Sequence, residues 1–258
     1  MNESIAFDRA AEYYDRSRAI SDEAMAATVE LLSAEVGGRG RVLEVGVGTG
    51  LLALPLHRAG LDLVGIDLAL PMLAKLAEKA GGAPPFPLVQ ADATRMPFAD
   101  DRFGGAYLRW VLHLITGWRD ALAEVVRVLR PGGRFLASLG TYDPVREEIQ
   151  ERFSMIAGIE VAPAGLDWGA YDELDQAMGE LGARARALPP IEETWTSSIE
   201  EFLEAIEENR HSWTWRASED ARRLAIAELR PWAERRFGGL AEPRTVRFEL
   251  TWRAYDIA

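Results

Sequence analysis

Apolar runs and amphipathic segments alternate along the first 140 residues of the chain. Four short apolar runs have the length of buried strands: 42–45, 61–67, 88–92 and 103–109. Three segments between or after them carry apolar residues at helical spacing: 51–59, 71–79 and 121–129. A further strand is predicted at 135–139. Strands that alternate with helices in this way predict an α/β protein with a mostly parallel sheet.

The segments on either side of this region are mostly helical in pattern. Residues 4–36 predict two helices, the second capped by Ser21-Asp22-Glu23, and three glycines at 37–40 end it. Beyond residue 140 the helical patterns are 145–159, 172–182, 199–210 and 218–237. A sixth strand is expected within 183–197 and a closing strand within 245–255.

Three alternating glycines, Gly46, Gly48 and Gly50, end the first strand and lead into a helix. Glycine lets the backbone turn tightly and lets a ligand approach, and the N–H groups at a helix N-terminus attract polar or anionic groups. This order is typical of a nucleotide-type cofactor loop, although a turn without a ligand is the alternative. A dinucleotide fingerprint needs a third glycine at position 51, where Leu51 stands, and no phosphate-loop pattern occurs.

Two acidic residues follow the next two strands. Asp67 comes 21 residues after Gly46 (67 − 46 = 21), close to the interval at which an acid ending the second strand reaches a ribose. Its two carboxylate oxygens can accept both ribose hydroxyls, and the alternative is a helix N-cap near Ala69. Asp92 ends the third strand, and it either binds a ligand or satisfies its own turn.

The E-x-G-x-G-x-G pattern at 44–50 resembles the first motif of the class I S-adenosylmethionine-dependent methyltransferases. Further segments resemble later motifs of that family in the same order: A-D-A-x-x-M-P-F at 91–98, W-V-L-H-L-I at 110–115 and V-L-R-P-G-G-R-F at 128–135. Residues 7–15 resemble its N-terminal F-x-x-x-A-x-x-Y-D region, which often closes over the cofactor. The resemblance covers about residues 7–140 and is nearest to the ubiquinone and menaquinone methyltransferase subgroup.

The resemblance implies a Rossmann-like, seven-stranded, mostly parallel sheet with an antiparallel last strand and a helical cap inserted at about 198–243. It implies N-terminal helices over the cofactor site at 1–40, an S-adenosylmethionine-binding core at 41–140, and a C-terminal part at 141–258 that completes the sheet. It also implies methyl transfer to a small, partly apolar metabolite, with S-adenosylhomocysteine as product.

The same resemblance assigns roles to particular residues. The glycines would cradle the methionine part, Asp67 would hold the ribose, and Asp92 with Ala93 would hold the adenine. The full set of cofactor contacts that we predict is Tyr14, Glu44, Gly46, Gly48, Gly50, Asp67, Leu68, Asp92, Ala93 and Arg109. His113 follows the fourth strand and is the candidate acid or base, with packing at a helix start as the alternative. No metal site is predicted.

Composition limits the other functions. The 258 residues include no Cys, which excludes disulfides, thiolate metal sites and methylation that depends on a cysteine nucleophile. The net charge of −12 disfavours nucleic acid, since phosphate backbones are bound mostly by Lys and Arg. No apolar run is long enough to span a membrane, and the N-terminus lacks a signal-peptide layout, so we expect a cytoplasmic protein. An RNA methyltransferase, a non-catalytic S-adenosylmethionine-binding protein and an NAD-dependent oxidoreductase remain as alternatives.

Overall fold

A computed structural model describes residues 14–15, 20–140, 143–160 and 163–258. Most of the predicted first helix, and of the N-terminal motif that follows Phe7, lies outside the described residues. The described helices are α1 (Asp22–Val36), α2 (Ala53–Arg58), α3 (Leu70–Lys79), α4 (Trp118–Val128), α5 (Pro144–Ala157), α6 (Tyr171–Glu180), α7 (Ile199–Glu207) and α8 (Glu219–Phe237). The strands are β1 (Val42–Val45), β2 (Leu63–Asp67), β3 (Leu88–Gln90), β4 (Phe103–Arg109), β5 (Leu129–Ser138), β6 (Arg184–Ala187), β7 (Ile191–Ser197), β8 (Arg244–Leu250) and β9 (Arg253–Asp256).

Seven of these strands form one sheet in the order β3-β2-β1-β4-β5-β9-β6. β1 to β5 pair in parallel, and β9 runs antiparallel to both β5 and β6. The sheet order reverses between β1 and β4, so the loops after these two strands diverge and leave a crevice at their carboxyl ends. The predicted Rossmann-like α/β fold with an antiparallel last strand is confirmed.

Helices cover both faces of this sheet. Alternation along the strands places Leu43 and Ala106 on one face, where they share a buried core with side chains of α4 and α6. Gly105 points to the other face, and a Cβ built on it would lie 2.9 Å from Cβ of Val36 at the end of α1. Gly105 is therefore required so that α1 can lie directly against the sheet.

The predictions for the last strands need correction. The segment 183–197 forms two strands, β6 and β7, because Pro189 and Pro190 cannot donate backbone hydrogen bonds to a ladder. The segment 245–255 likewise divides into β8 and β9. β6 and β9 are the antiparallel pair of the main sheet, whereas β7 and β8 pair with each other in a separate two-stranded sheet. The insertion between the paired strands is therefore longer than the predicted 198–243.

The chain forms two compact units. The first comprises the described residues up to Gly140 together with Ala164–Glu192 and Glu249–Ala258. The second comprises the described residues of 141–163 and Glu193–Phe248, and α5, α7 and α8 pack there around Phe153, Leu203 and Leu229. The predicted boundary at residue 140 coincides with a unit boundary, while two later segments return to the first unit. The capping role of the inserted helices stays a prediction.

Candidate functional site

The glycine loop after β1 depends on its glycines for backbone conformation. Gly46, Gly48 and Gly50 have φ of 74°, 54° and 75°, which other residues rarely adopt. The N–H groups of Gly46 and Val47 both donate to the carbonyl of Ile66, at 2.9 and 2.8 Å, and so join the loop to β2. The predicted strand-to-helix loop is thus held at the carboxyl edge of the sheet.

The three glycines differ in what surrounds them. A Cβ at Gly46 would lie 2.7 Å from Cγ2 of Val111, and one at Gly50 would lie 2.7 Å from Cγ of Leu76. A Cβ at Gly48 would instead meet Cε of Met72 at 3.5 Å and Cε1 of Tyr14 at 3.8 Å. Packing against other side chains therefore excludes larger residues at Gly46 and Gly50, whereas a Cβ at Gly48 would make only ordinary van der Waals contacts.

Gly46 and Gly48 border a cleft of about 760 Å³, a volume that includes open solvent at its mouth. It lies at the carboxyl ends of β1 to β4, where open α/β sheets bind their ligands. Most of the predicted site residues line it: Tyr14, Gly46, Gly48, Asp67, Leu68, Asp92, Ala93, Arg109 and His113. Glu44 and Gly50, which we predicted to contact the cofactor, are not among the lining residues.

Asp67 joins the ends of two strands. Its Oδ2 accepts a hydrogen bond from the N–H of Gly48 at 2.8 Å, and its Oδ1 accepts from the N–H of Ala69 at 2.9 Å. Each carboxylate oxygen has lone pairs for more than one hydrogen bond. Ala69, rather than Asp67, occupies the N-cap position of α3. Asp67 is thus fixed in orientation at the wall of the cleft.

Asp92 stabilises its own turn. Its Oδ1 accepts hydrogen bonds from both the N–H and the hydroxyl of Thr94, each at 2.9 Å. The alternative that this Asp satisfies its own loop is therefore part of the structure. The same residue also lines the cleft together with Ala93, so the two roles are compatible.

Glu44 lies beneath the glycine loop and is 4% exposed. The hydroxyl of Tyr107 donates to its Oε2 at 2.7 Å, in agreement with the pairing of these two positions across β1 and β4. Burial raises the pKa of Glu44 to about 8, against the opposing effects of the Tyr107 hydrogen bond and of Arg109. Glu44 is therefore a carboxyl group within the sheet that burial keeps protonated at neutral pH.

The chain turns sharply where β4 ends. Trp110 has φ of 56°, an uncommon conformation for a bulky residue, and its N–H donates to the carbonyl of Ser138 at 2.8 Å. The guanidinium carbon of Arg109 lies 3.7 Å from the centroid of the Trp110 ring. Both side chains line the cleft. Such backbone strain persists only where surrounding contacts maintain it. It is common at ligand sites.

His113 lies in the 3₁₀ turn Leu112–Leu114 and is 7% exposed. Its ring lies against that of Trp168, with centroids 3.7 Å apart and the ring planes tilted by 33°. The chain around Trp168 is fitted closely here, since a Cβ at Gly140 would lie 1.5 Å from Cε3 of the indole. The N–H of Gly165 donates to the carbonyl of His113 at 3.0 Å. His113 thus lines the cleft, and residues 165–168, far away in sequence, hold its position.

Comparison with known proteins bears on this cleft directly. Residues 43–137 match the family described as methyltransferase domain. A demethylmenaquinone methyltransferase from Renibacterium salmoninarum is 33% identical over 158 residues, which cover 55% of this chain and 65% of that protein. The matched part is thus less than two thirds of the relative's length. Residues 43–137 are thus a methyltransferase domain of the class I S-adenosylmethionine-dependent kind. The expectation from its motifs is confirmed.

Solved structures share the fold of this methyltransferase domain. The YcgJ protein from Bacillus subtilis has a TM-score of 0.61 at 20% identity, covering 92% of this chain and 100% of that one. A phosphoethanolamine N-methyltransferase from Haemonchus contortus, solved with S-adenosylhomocysteine, has a TM-score of 0.52 at 16% identity, covering 90% of this chain and 52% of that one. At these identities the likeness shows the fold.

Sequence reasoning missed several residues that line the cleft of the methyltransferase domain. They are Val45, Ile66, Met72, Ala91, Trp110, Val111, Leu114 and Ile115. The W-V-L-H-L-I motif contains four of them and marked the segment, but it gave no reason to choose individual side chains. Met72 carried no signal, because an apolar residue on α3 is equally expected in a core.

Neither metal ligands nor a membrane span is found in the methyltransferase domain or the rest of the described chain. Within residues 14–15, 20–140, 143–160 and 163–258, no group of three or more His, Asp or Glu side chains could hold a metal ion. No helix among those residues is long and apolar enough to cross a bilayer.

Proposed function

We propose that this protein transfers a methyl group from S-adenosylmethionine to a small, partly apolar acceptor. The observation that carries the proposal is the joining of Gly48 to Asp67 at the crevice between β1, β2 and β4, where the Asp67 carboxylate faces the cleft. The solved Haemonchus contortus enzyme, which shares the fold, holds S-adenosylhomocysteine. The cleft fits such a ligand, because it offers an open backbone approach beside a fixed carboxylate.

In this proposal each wall of the cleft binds one part of the cofactor. Gly46 and Gly48 leave room for the methionine part beside the backbone, and Asp67 accepts from the ribose hydroxyls. Asp92 and the N–H of Ala93 bind the adenine. The remaining contacts are Tyr14, Leu68 and Arg109, while Glu44 and Gly50 shape the loop from beneath.

The acceptor would occupy the part of the cleft formed by the turn after β4. Trp110, Val111, Leu114 and Ile115 line it there, and they favour an apolar or aromatic molecule. The demethylmenaquinone methyltransferase relative is consistent with such an acceptor. Bound S-adenosylmethionine supplies an electrophilic methyl group on a sulfonium. The protein's main contribution is to hold the acceptor in line with it, which can be worth about 7–11 kcal/mol.

His113 is the candidate base within this arrangement. A neutral hydroxyl or amine acceptor must lose a proton, and the imidazole at the wall of the cleft is placed to take it. A carbon or sulfur acceptor needs no strong base. Replacing His113 by Ala should therefore lower kcat for a hydroxyl or amine acceptor while leaving S-adenosylhomocysteine affinity unchanged. Normal turnover in that variant would make His113 structural.

The first test is a calorimetric titration with S-adenosylhomocysteine, with NADH as the control ligand. The product is preferable to the methyl donor because it is stable and does not turn over. We expect stoichiometric binding of S-adenosylhomocysteine and none of NADH. Binding of NADH alone would replace the methyltransferase proposal with an oxidoreductase. Binding without turnover of any small apolar acceptor or tRNA would favour a non-catalytic cofactor-binding protein.

The cytoplasmic location stays a prediction.

A further inference from the structure

Asp15 connects three parts of the chain beside the cofactor cleft. Its Oδ1 accepts a hydrogen bond from the hydroxyl of Thr49, which stands between Gly48 and Gly50 in the glycine loop. Its Oδ2 accepts from Nζ of Lys79 at 2.6 Å. Lys79 is the last residue of α3. We call these three side chains the Asp15 bridge.

The bridge is built from partly shielded groups. Thr49 is 0% exposed, and the side chains of Lys79 and Asp15 are 27% and 37% exposed. Hydrogen bonds to ionised groups are about twice as strong as neutral ones, and shielding from water preserves more of that strength than a fully exposed pair keeps. The bridge therefore holds Asp15 against the glycine loop.

Tyr14, the residue before Asp15, lines the cleft. Its Cε1 lies 3.8 Å from the position that a Cβ on Gly48 would occupy. Holding Asp15 on Thr49 and Lys79 restricts the backbone of Tyr14, because adjacent residues share one peptide unit. The bridge thus limits the positions that the Tyr14 ring can take beside Gly48.

We propose that Asp15 is a positioning residue that acts through Tyr14, and that the Asp15 bridge sets how tightly and how long the cofactor is held. This inference rests on the proposed function, since it takes S-adenosylmethionine and S-adenosylhomocysteine as the ligands of the cleft. It assigns Thr49 a second role in the glycine loop, as the hydroxyl that anchors Asp15. It also assigns Lys79 a role at the cofactor site, although Lys79 does not line the cleft.

The test measures S-adenosylhomocysteine affinity by calorimetry and its dissociation rate by stopped flow. Variants are Asp15→Asn, Lys79→Met, Tyr14→Ala and the double variant Tyr14→Ala with Asp15→Asn. We expect Asp15→Asn and Lys79→Met each to weaken binding roughly tenfold, mainly by faster dissociation. In the Tyr14→Ala background, Asp15→Asn should add little, because residues that act as one unit are not additive.

Matched controls separate positioning from general damage. Glu78→Gln breaks another ion pair of α3, the one between Glu78 and Lys75, and this variant should bind S-adenosylhomocysteine like the wild type. Lys79→Arg keeps the charge and should restore most of the affinity. High salt should speed dissociation from the wild type but not from Lys79→Met, because salt weakens a partly exposed ion pair. Thermal unfolding without ligand checks that the variants are folded.

The outcomes are distinguishable from failure of the proposed function. If the wild type does not bind S-adenosylhomocysteine, the proposed function fails. If the wild type binds and the folded Lys79→Met and Asp15→Asn variants bind equally well, the positioning role is overturned. Full additivity of Asp15→Asn and Tyr14→Ala would also overturn it, since Asp15 would then act independently of Tyr14.

Discussion

Glu44 is a buried carboxyl whose protonation couples to folding. Its pKa rises from 4.5 to about 8 because burial disfavours the carboxylate, more than Tyr107 and Arg109 stabilise it. The folded protein therefore binds more protons than the unfolded chain between these two values. The resulting stabilisation is complete below pH 4.5 and is lost as the pH rises to about 8.

Replacing Glu44 by Gln should remove this pH dependence. Gln keeps an oxygen that can accept from Tyr107 but does not ionise. The difference in unfolding free energy, wild type minus variant, should fall between pH 5 and pH 8, by on the order of a few kcal/mol. Urea denaturation of both proteins across this range measures it. Parallel stability curves would show that Glu44 titrates normally in the folded state.

Asp67 is the residue on which the cofactor assignment depends most. Asp67→Ala should lower S-adenosylhomocysteine affinity by about 100-fold or more, because two hydroxyls and the N–H of Gly48 would lose an ionised acceptor. Asp67→Asn should have a smaller effect, since its amide oxygen still accepts one of these bonds. Calorimetry on the two variants shows which of them loses more affinity for S-adenosylhomocysteine. Unchanged affinity in Asp67→Ala would disprove the ribose assignment.

At the scale of elements, the turn that holds His113 depends on a glycine far away in sequence. A Cβ at Gly165 would lie 2.1 Å from the carbonyl oxygen of Leu112 and 2.2 Å from that of Ile115. Backbone atoms cannot move aside as a flexible side chain does. The segment 165–168 packs so closely on the 3₁₀ turn that position 165 has no room for any side chain.

Gly165→Ala should accordingly destabilise the protein by about 1–3 kcal/mol in chemical denaturation. Gly179→Ala is the matched control, because Gly179 lies inside α6 with no atom near the added methyl group. That control should be neutral or stabilising by roughly 0.5–1 kcal/mol, as alanine favours helices. Equal effects of the two substitutions would contradict the close packing described at Gly165.

The division of the last strands is also decided at this scale. Alternating apolar residues indicated strands at 183–197 and 245–255, and strands are present in both segments. One strand was predicted in each segment, but each contains two. Pro189 and Pro190 interrupt the first segment, and in the second β8 pairs with β7 instead of continuing into β9. Alternation identifies an extended segment but carries no information on which strand it will join.

At the scale of the whole molecule, the net charge of −12 sets the expectation for nucleic acid. A chain with 41 acidic and 29 basic residues should show no salt-dependent binding to tRNA in a mobility-shift assay at low salt. A small-molecule acceptor is compatible with this charge. Binding whose logarithm falls linearly with the logarithm of salt concentration would favour the RNA methyltransferase alternative instead.

The sequence by itself determined the glycine loop and the positions of the five parallel strands along the chain. The glycine loop and the acids at strand ends were predictable because they follow from local backbone conformation and from carboxylate chemistry at fixed spacing. The amphipathic helices were predictable because the spacing of apolar residues within one segment is enough to indicate a helix. In the structure these helices begin and end within a few residues of the predicted positions.

Only the tertiary structure decided which side chains surround the cleft and what supports them. Three features each depend on residues distant in sequence: the hydrogen bond of Glu44 with Tyr107, the contact of Trp168 with His113 and the Asp15 bridge. No local pattern encodes such contacts, because they arise only when the sheet brings separate loops to one edge. The identity of the fold is therefore largely local information, whereas the chemistry of the site is not.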